Sequence, residues 1–135
     1  MYSDLKLTIF EEKRILQELM ELLDEQYNVI LSNEVLALEK VNENIELIGK
    51  KLAAIEINRR DIIKDKNFKG IVENSNDEHL KDVYKEVRGL LKDIELQKDT
   101  NDTLIKQRLF FTNKMINIIR PSKNIGTYNS YGNVR

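Results

Sequence analysis

Few side chains in this sequence could carry out chemistry. The single histidine, His79, lies between Glu78 and Leu80 at a predicted helix start. A general base or metal ligand there would need a second His, or a Ser or Cys partner nearby, and the neighbouring sequence offers none. We therefore interpret His79 as an exposed helix-start residue rather than a metal ligand or a base.

The carboxylates are numerous, but their spacing is typical of a solvated helix face. Glu11, Glu18, Glu21 and Asp24 follow one another at helical intervals among lysines and arginines. There is no cysteine, and no EF-hand, P-loop, GxGxxG or HExxH pattern occurs. The sequence therefore predicts no catalytic residue, no cofactor and no metal site, and we do not expect an enzyme.

Composition and charge favour an intracellular helical protein. The net charge is -1, from 22 basic and 23 acidic residues, so the composition gives no electrostatic case for nucleic-acid binding. The first residues carry charges throughout, which fits neither a secretion signal nor membrane insertion. With 41% hydrophobic residues, one Pro and five Gly, the chain can form long packed helices. We expect it to be cytoplasmic.

Three series of apolar residues have the alternating three- and four-residue steps of coiled-coil helices. The first has polar exceptions at Glu12 and Gln26, and the second has one at Arg59. The series are Leu5, Ile9, Leu16, Leu19, Leu23, Ile30; Leu38, Val41, Ile45, Ile48, Leu52, Ile55, Ile62; and Leu80, Val83, Val87, Leu90, Ile94, Leu104, Phe111, Met115, Ile118. They predict an all-α fold, an antiparallel bundle of about three long helices over residues 1–120, followed by a flexible tail over residues 121–135.

The breaks between these helices differ in strength. A break with an N-cap is predicted at Ser32, and a loop is predicted over residues 67–77, which contain Gly70 and an Asn-Ser-Asn-Asp run. Ser75 and Glu78 form a capping-box pattern for a third helix, which would run from residue 77 to 120 and end before Pro121.

Polar residues also interrupt the third series, at Lys98, Asn101 and Arg108. One interpretation is a buried polar layer that sets the register of the bundle, as single Asn residues do in coiled coils. The other is a helix break, or simple exposure where the bundle thins out. The sequence leaves both open.

Helix lengths single out the end of the third helix. At about 1.5 Å per residue, the three helices would reach roughly 40, 50 and 65 Å, so the third outruns its partners. Its last part holds Leu109, Phe110, Phe111, Ile118 and Ile119, which cover more of the circumference than one packing seam needs. These residues are either ordinary core or a docking surface for another helix.

Tyr128 and Tyr131 stand in the predicted tail, next to glycines and asparagines. They are either aromatic residues of a disordered end or anchors for an interface, where tyrosine is common.

Taken together, these segments resemble the FlgN family of flagellar export chaperones. The likeness runs from about residue 5 to 134 and departs at Asn44, Lys98 and residues 65–76. Its segments are Leu16-x-x-Leu19-x-x-Leu22-Leu23; Asn33-Glu34-Val35-Leu36-Ala37-Leu38; Leu47-Ile48 through Leu52 to Arg59-Arg60; Asn101-x-x-Leu104-Ile105-x-Gln107-x-Leu109-Phe110-Phe111; and Gly126-Thr127-Tyr128-x-x-x-Gly132.

The resemblance implies a cytoplasmic chaperone of the hook-associated proteins, which form the hook–filament junction. It would prevent their premature assembly and deliver them to the export gate, with Tyr128 as the docking residue. The cargo would bind to the C-terminal helix, at Leu104, Ile105, Leu109, Phe110, Phe111, Met115, Ile116 and Ile119. The alternative function is a self-associating structural coiled coil or adaptor protein.

Overall fold

Four helices account for nearly all of the described part of the chain, residues 2–64 and 66–120 of a computed structural model. They are α1 (Tyr2–Ser32), α2 (Val35–Ile63), α3 (Phe68–Asn74) and α4 (Glu78–Ile119). The all-helical prediction is confirmed, and the bounds of α4 agree with the predicted third helix to within a residue. The predicted number of helices is wrong, because the short α3 forms where we predict a loop.

The turn between α1 and α2 depends on Asn33. This residue has a φ of 61°, in the left-handed region that Asn tolerates better than most residues. The predicted break near Ser32 is confirmed. The predicted N-cap is wrong, because the Ser32 hydroxyl donates back to the Val29 carbonyl at 3.0 Å, and Glu34 takes the N-cap position without a side-chain hydrogen bond.

Tertiary contacts hold α3 in place although it is only seven residues long. The Asn67 side chain accepts a hydrogen bond from the Gly70 N–H at 3.3 Å and so caps the helix start. The Phe68 ring meets the Tyr84 ring edge to face, with centroids 5.1 Å apart, and the Arg59 guanidinium lies 5.0 Å from the Phe68 centroid. Val72 is buried. Such a helix depends on its neighbours rather than on its own propensity.

Asp77 caps the start of α4. Its carboxylate accepts hydrogen bonds from the N–H groups of His79 (3.0 Å) and Leu80 (3.2 Å). The predicted capping box is therefore wrong, since the Ser75 hydroxyl donates to the Val72 carbonyl instead. A hydrogen bond from Lys6, followed in size by that from the Leu80 N–H, holds the pKa of Asp77 below its ordinary value.

Side-chain pairs fix the helix directions within residues 1–101. Thr8 pairs with Asn58 and Gln26 with Asn42, so α1 and α2 run antiparallel. Contacts between α1 and α4 advance together along both helices: Lys6 with Asp77, Lys13 with Glu86, and Leu23 with Asn101. Helices α1 and α4 are therefore parallel, and α2 runs in the opposite direction to both.

A cluster of buried apolar residues lies where α1, α3 and α4 meet. Its fully buried members are Ile9, Leu16, Val72, Leu80, Val83 and Val87, and Leu52 of α2 packs against them. Ile9 and Leu16 belong to the first predicted series, Leu52 to the second, and Leu80, Val83 and Val87 to the third. Only Val72 comes from a segment to which we assign no helix.

Polar exceptions in different helices pair with one another. Arg59 of α2 reaches Glu12 of α1, with one guanidinium nitrogen 2.7 Å from each carboxylate oxygen. The side chains are 16% and 6% exposed, so this ion pair is largely removed from water. Each residue is a polar exception in an apolar series, and each supplies the opposite charge that offsets the desolvation cost of burying the other.

Asn101 forms the buried polar layer. It is fully buried, and its amide nitrogen donates to the Leu23 carbonyl (2.8 Å) and to Gln26 (2.9 Å), while its oxygen accepts from Gln97 (3.0 Å). Gln26 in turn donates to Asn42 at 2.8 Å, which extends the network to α2. The polar-layer interpretation is thus correct for Asn101, and the helix-break interpretation is wrong, because α4 is continuous. Lys98 is exposed.

Candidate functional site

The candidate site lies in the second of two compact units. The first unit is residues 1–101 and the second is residues 102–135, of which the structure describes residues 102–120. We call residues 104–119 of α4 the C-terminal segment. It contains all eight predicted cargo-binding residues.

The C-terminal segment presents most of its large apolar side chains to solvent. Phe111 is 62% exposed and Ile119 is 75% exposed, and Leu109, Phe110, Met115 and Ile116 are also exposed. Leu104 and Ile105 are half-buried. Ile118, at 71% exposed, belongs with them, although the predicted site omits it. Its place in the third apolar series was the signal that could have included it.

Helix geometry brings most of these residues onto one broad face. At about 100° per residue, the face spans roughly 180° of the helix circumference, wider than the stripe of a single packed helix. In order around the helix, its members are Ile118, Phe111, Leu104, Met115, Ile119, Ile105, Ile116 and Leu109. We call this surface the apolar face.

Two side chains of the C-terminal segment depart from this arrangement. Phe110 lies on the opposite side of the helix, where the Lys114 ammonium is 5.2 Å from its ring centroid. Phe110 is therefore not brought together with the other predicted residues. Arg108, half-buried, lies within the apolar face between Met115 and Ile119 in angular position.

The C-terminal segment can bind by burial and by charge, since its side chains are apolar, amide, hydroxyl or basic. Burying large aliphatic and aromatic side chains against another helix is the recurring way in which such a face recognises a partner. Methionine at position 115 adds a flexible contact that adapts to different partners.

Other features of the first unit offer less. His79 is exposed, and its N–H serves the helix cap of α4. A cleft of about 690 Å³ between α3 and α4 has charged walls of both signs, within which Lys69 pairs with Glu73 and Lys81 with Glu78. In the described ranges no group of three or more His, Asp or Glu side chains could hold a metal ion. Nor is any helix there long and apolar enough to cross a membrane.

Fold and site together define a class: an all-helical, coiled-coil-like protein with a broad apolar face on its last helix. Comparison with known families narrows this class, since residues 1–135 match the family described as FlgN protein. The chain belongs to the FlgN family. FlgN is a family of flagellar export chaperones and not of enzymes, so this protein acts on other proteins in flagellar export.

Two further comparisons add no relatives. Neither the curated proteins nor the solved structures yield a match to this chain.

The predicted tail, with Tyr128 and Tyr131, lies outside the described residues.

Proposed function

We propose that this protein is a cytoplasmic chaperone of the hook-associated proteins and that the apolar face of its C-terminal segment binds them. The bound cargo is kept from assembling prematurely and is delivered to the export gate. Docking at the gate uses the tail residue Tyr128. Membership of the FlgN family supports the general role.

The exposure of the apolar face is the observation that carries the cargo-binding proposal. Phe111, Ile118 and Ile119 are each more than 60% exposed, although they stand side by side on one helix. Large contiguous apolar surfaces are uncommon on monomeric proteins unless they bind something. An amphipathic helix of the cargo that lies along this face would cover them.

The energy of such docking is sufficient for reversible binding. Burying one large apolar side chain contributes about 1.5–3 kcal/mol, so five side chains give a gross gain near 10 kcal/mol. Loss of translational freedom and ordering of side chains offset much of this gain. The net gain is then less than about 8 kcal/mol, which corresponds to a dissociation constant in the micromolar range or weaker and allows the cargo to be released at the gate.

The test is calorimetric titration of a purified hook-associated protein into the wild-type chain and two triple variants. Phe111→Ser, Met115→Ser and Ile118→Ser remove the centre of the apolar face, and we expect binding to weaken at least about 100-fold. Leu36→Ser, Leu47→Ser and Leu96→Ser form the matched control. These residues are also exposed large apolar side chains, but they lie in the first unit.

Circular dichroism should show the same helix content for all three proteins, because every substituted side chain is exposed. Undiminished affinity in the first variant would show that the cargo binds elsewhere. Phe110→Ser gives a finer check. Since Phe110 lies away from the apolar face, its loss should weaken binding much less than Phe111→Ser does.

A further inference from the structure

Charge is distributed unevenly between the two units. Residues 1–101 contain 16 basic and 22 acidic residues, a net charge of -6. The described part of the second unit, residues 102–120, contains four basic residues and one acidic residue, a net charge of +3. The proposed docking segment is therefore basic, whereas the first unit is acidic.

The basic residues are placed around the apolar face. At about 100° per residue, Arg120 and then Lys106 follow Leu109 beyond one edge, and beyond the other edge Gln107 and then Lys114 follow Ile118. Arg108 lies within the face. Positive charge thus follows one edge of the apolar face and also enters it, while the Lys114 ammonium lies beyond the other edge, 5.2 Å from the Phe110 ring centroid.

We propose that the C-terminal segment selects a helix whose apolar stripe is flanked by Asp and Glu residues. This inference rests on the proposed function, and it specifies the chemistry of the cargo segment. In helix pairs, charges beside the packing seam set the choice of partner, because opposite charges attract and like charges repel.

Two other occupants fit the charges less well. A second copy of the same segment would place +3 against +3, which opposes pairing. An anionic membrane surface would attract the basic residues, but Arg108 within the face disfavours immersion in lipid, and the first unit at -6 is repelled by such a surface. An acidic protein helix places negative charge beside the basic residues that flank the face.

The test uses the full chain and three synthetic helical peptides with one identical leucine stripe, flanked by Glu, by Gln or by Lys. Fluorescence anisotropy gives their dissociation constants at 50 and 500 mM NaCl. We expect the Glu peptide to bind about 5- to 30-fold more tightly than the Gln peptide, and the Lys peptide to bind most weakly. At 500 mM the differences should shrink to about 3-fold or less.

Charge reversal supplies the decisive variant. Lys106→Glu, Lys114→Glu and Arg120→Glu should invert the order of the three peptides. The control, Lys40→Glu, Lys50→Glu and Lys66→Glu, changes the net charge by the same amount within the first unit and should keep the wild-type order. If the control inverts the order as well, long-range attraction explains the preference and the proposal fails.

Other results separate this proposal from the proposed function. Equal affinity for all three peptides, with binding lost in the variant that removes Phe111, Met115 and Ile118, would refute charge selection and retain the docking surface. If no peptide binds, charge selection fails, and the titration with a hook-associated protein decides the chaperone role by itself. Two further results would overturn the proposal of charge selection. One is tighter binding to phosphatidylserine vesicles than to the Glu peptide, and the other is a dimer in sedimentation that the Glu peptide does not dissociate.

Discussion

Replacing Glu12 by alanine should cost far more stability than its charge alone suggests. Its carboxylate lies 2.7 Å from the Arg59 guanidinium, and the two side chains are 6% and 16% exposed. Removing one member of a buried pair typically costs about 3–5 kcal/mol, because the remaining charge stays desolvated. Here Glu56, 3.8 Å from Arg59, offers partial compensation. We therefore expect Glu12→Ala to lower the free energy of unfolding by about 2–3 kcal/mol.

Urea unfolding followed by circular dichroism measures this loss. With a slope of about 1–3 kcal/mol per molar urea, the midpoint should fall by roughly 0.7–3 M. The exposed pair of Arg14 and Glu18 supplies the control, and Arg14→Ala should cost about 0.5 kcal/mol or less. The double variant Glu12→Met with Arg59→Met leaves no buried charge and should be more stable than Glu12→Ala alone.

Two outcomes would refute this reasoning. If Glu12→Ala shifted the midpoint no more than Arg14→Ala, the pair would not be desolvated in solution. If the double variant lost as much stability as the single variants Glu12→Met and Arg59→Met combined, the pair would contribute by packing rather than by mutual compensation of charge.

Three further predictions concern the first unit. In the wild-type chain the urea midpoint should fall as the pH falls below about 4, and Asp77→Asn should make this fall smaller. The pKa of Asp77 is lowered in the folded chain, so its ionised form stabilises the fold above its unfolded pKa, and that contribution disappears on acidification. Asn101→Ala should cost about 1–3 kcal/mol in the same assay, since the buried Leu23 carbonyl and Gln26 lose their donor. Phe68→Ala should cost about 2 kcal/mol and speed hydrogen exchange of the α3 amides, because the Tyr84 contact is lost.

The long helices could be predicted because each carries a regular apolar series that agrees with its packing. In α1, Leu5, Ile9 and Leu16 are fully buried, as their spacing predicts. Helix α3 could not be found in this way. Its seven residues include Gly70, and what stabilises it is the placement of Phe68 and Val72 against other helices, which a single sequence does not show.

The pairing of Glu12 with Arg59 was within reach of the sequence. Both are polar exceptions in neighbouring series. Because α1 and α2 are antiparallel and joined by a tight turn at Asn33, a residue of α1 lies level with a residue of α2 when their numbers add up to about 68. The contacts of Asn101 could be predicted from the sequence less well. Its level relative to Gln26 depends on α3 and its flanking turns, whose geometry the sequence leaves open.

Residues depart from the expected apolar pattern of the helices in two ways. The two differ in whether the group that compensates for the departure lies within the chain or on another protein. Inside the first unit, polar residues enter apolar series, and Glu12, Gln26 and Asn101 each meet a polar group of another helix. In the C-terminal segment the departure is the reverse, since apolar residues such as Phe111 and Ile119 are exposed. Polar exceptions that are paired within the chain contribute to its register and stability. Exposed apolar residues add little to the stability of the chain that carries them, so the free energy of covering them becomes available when another helix binds.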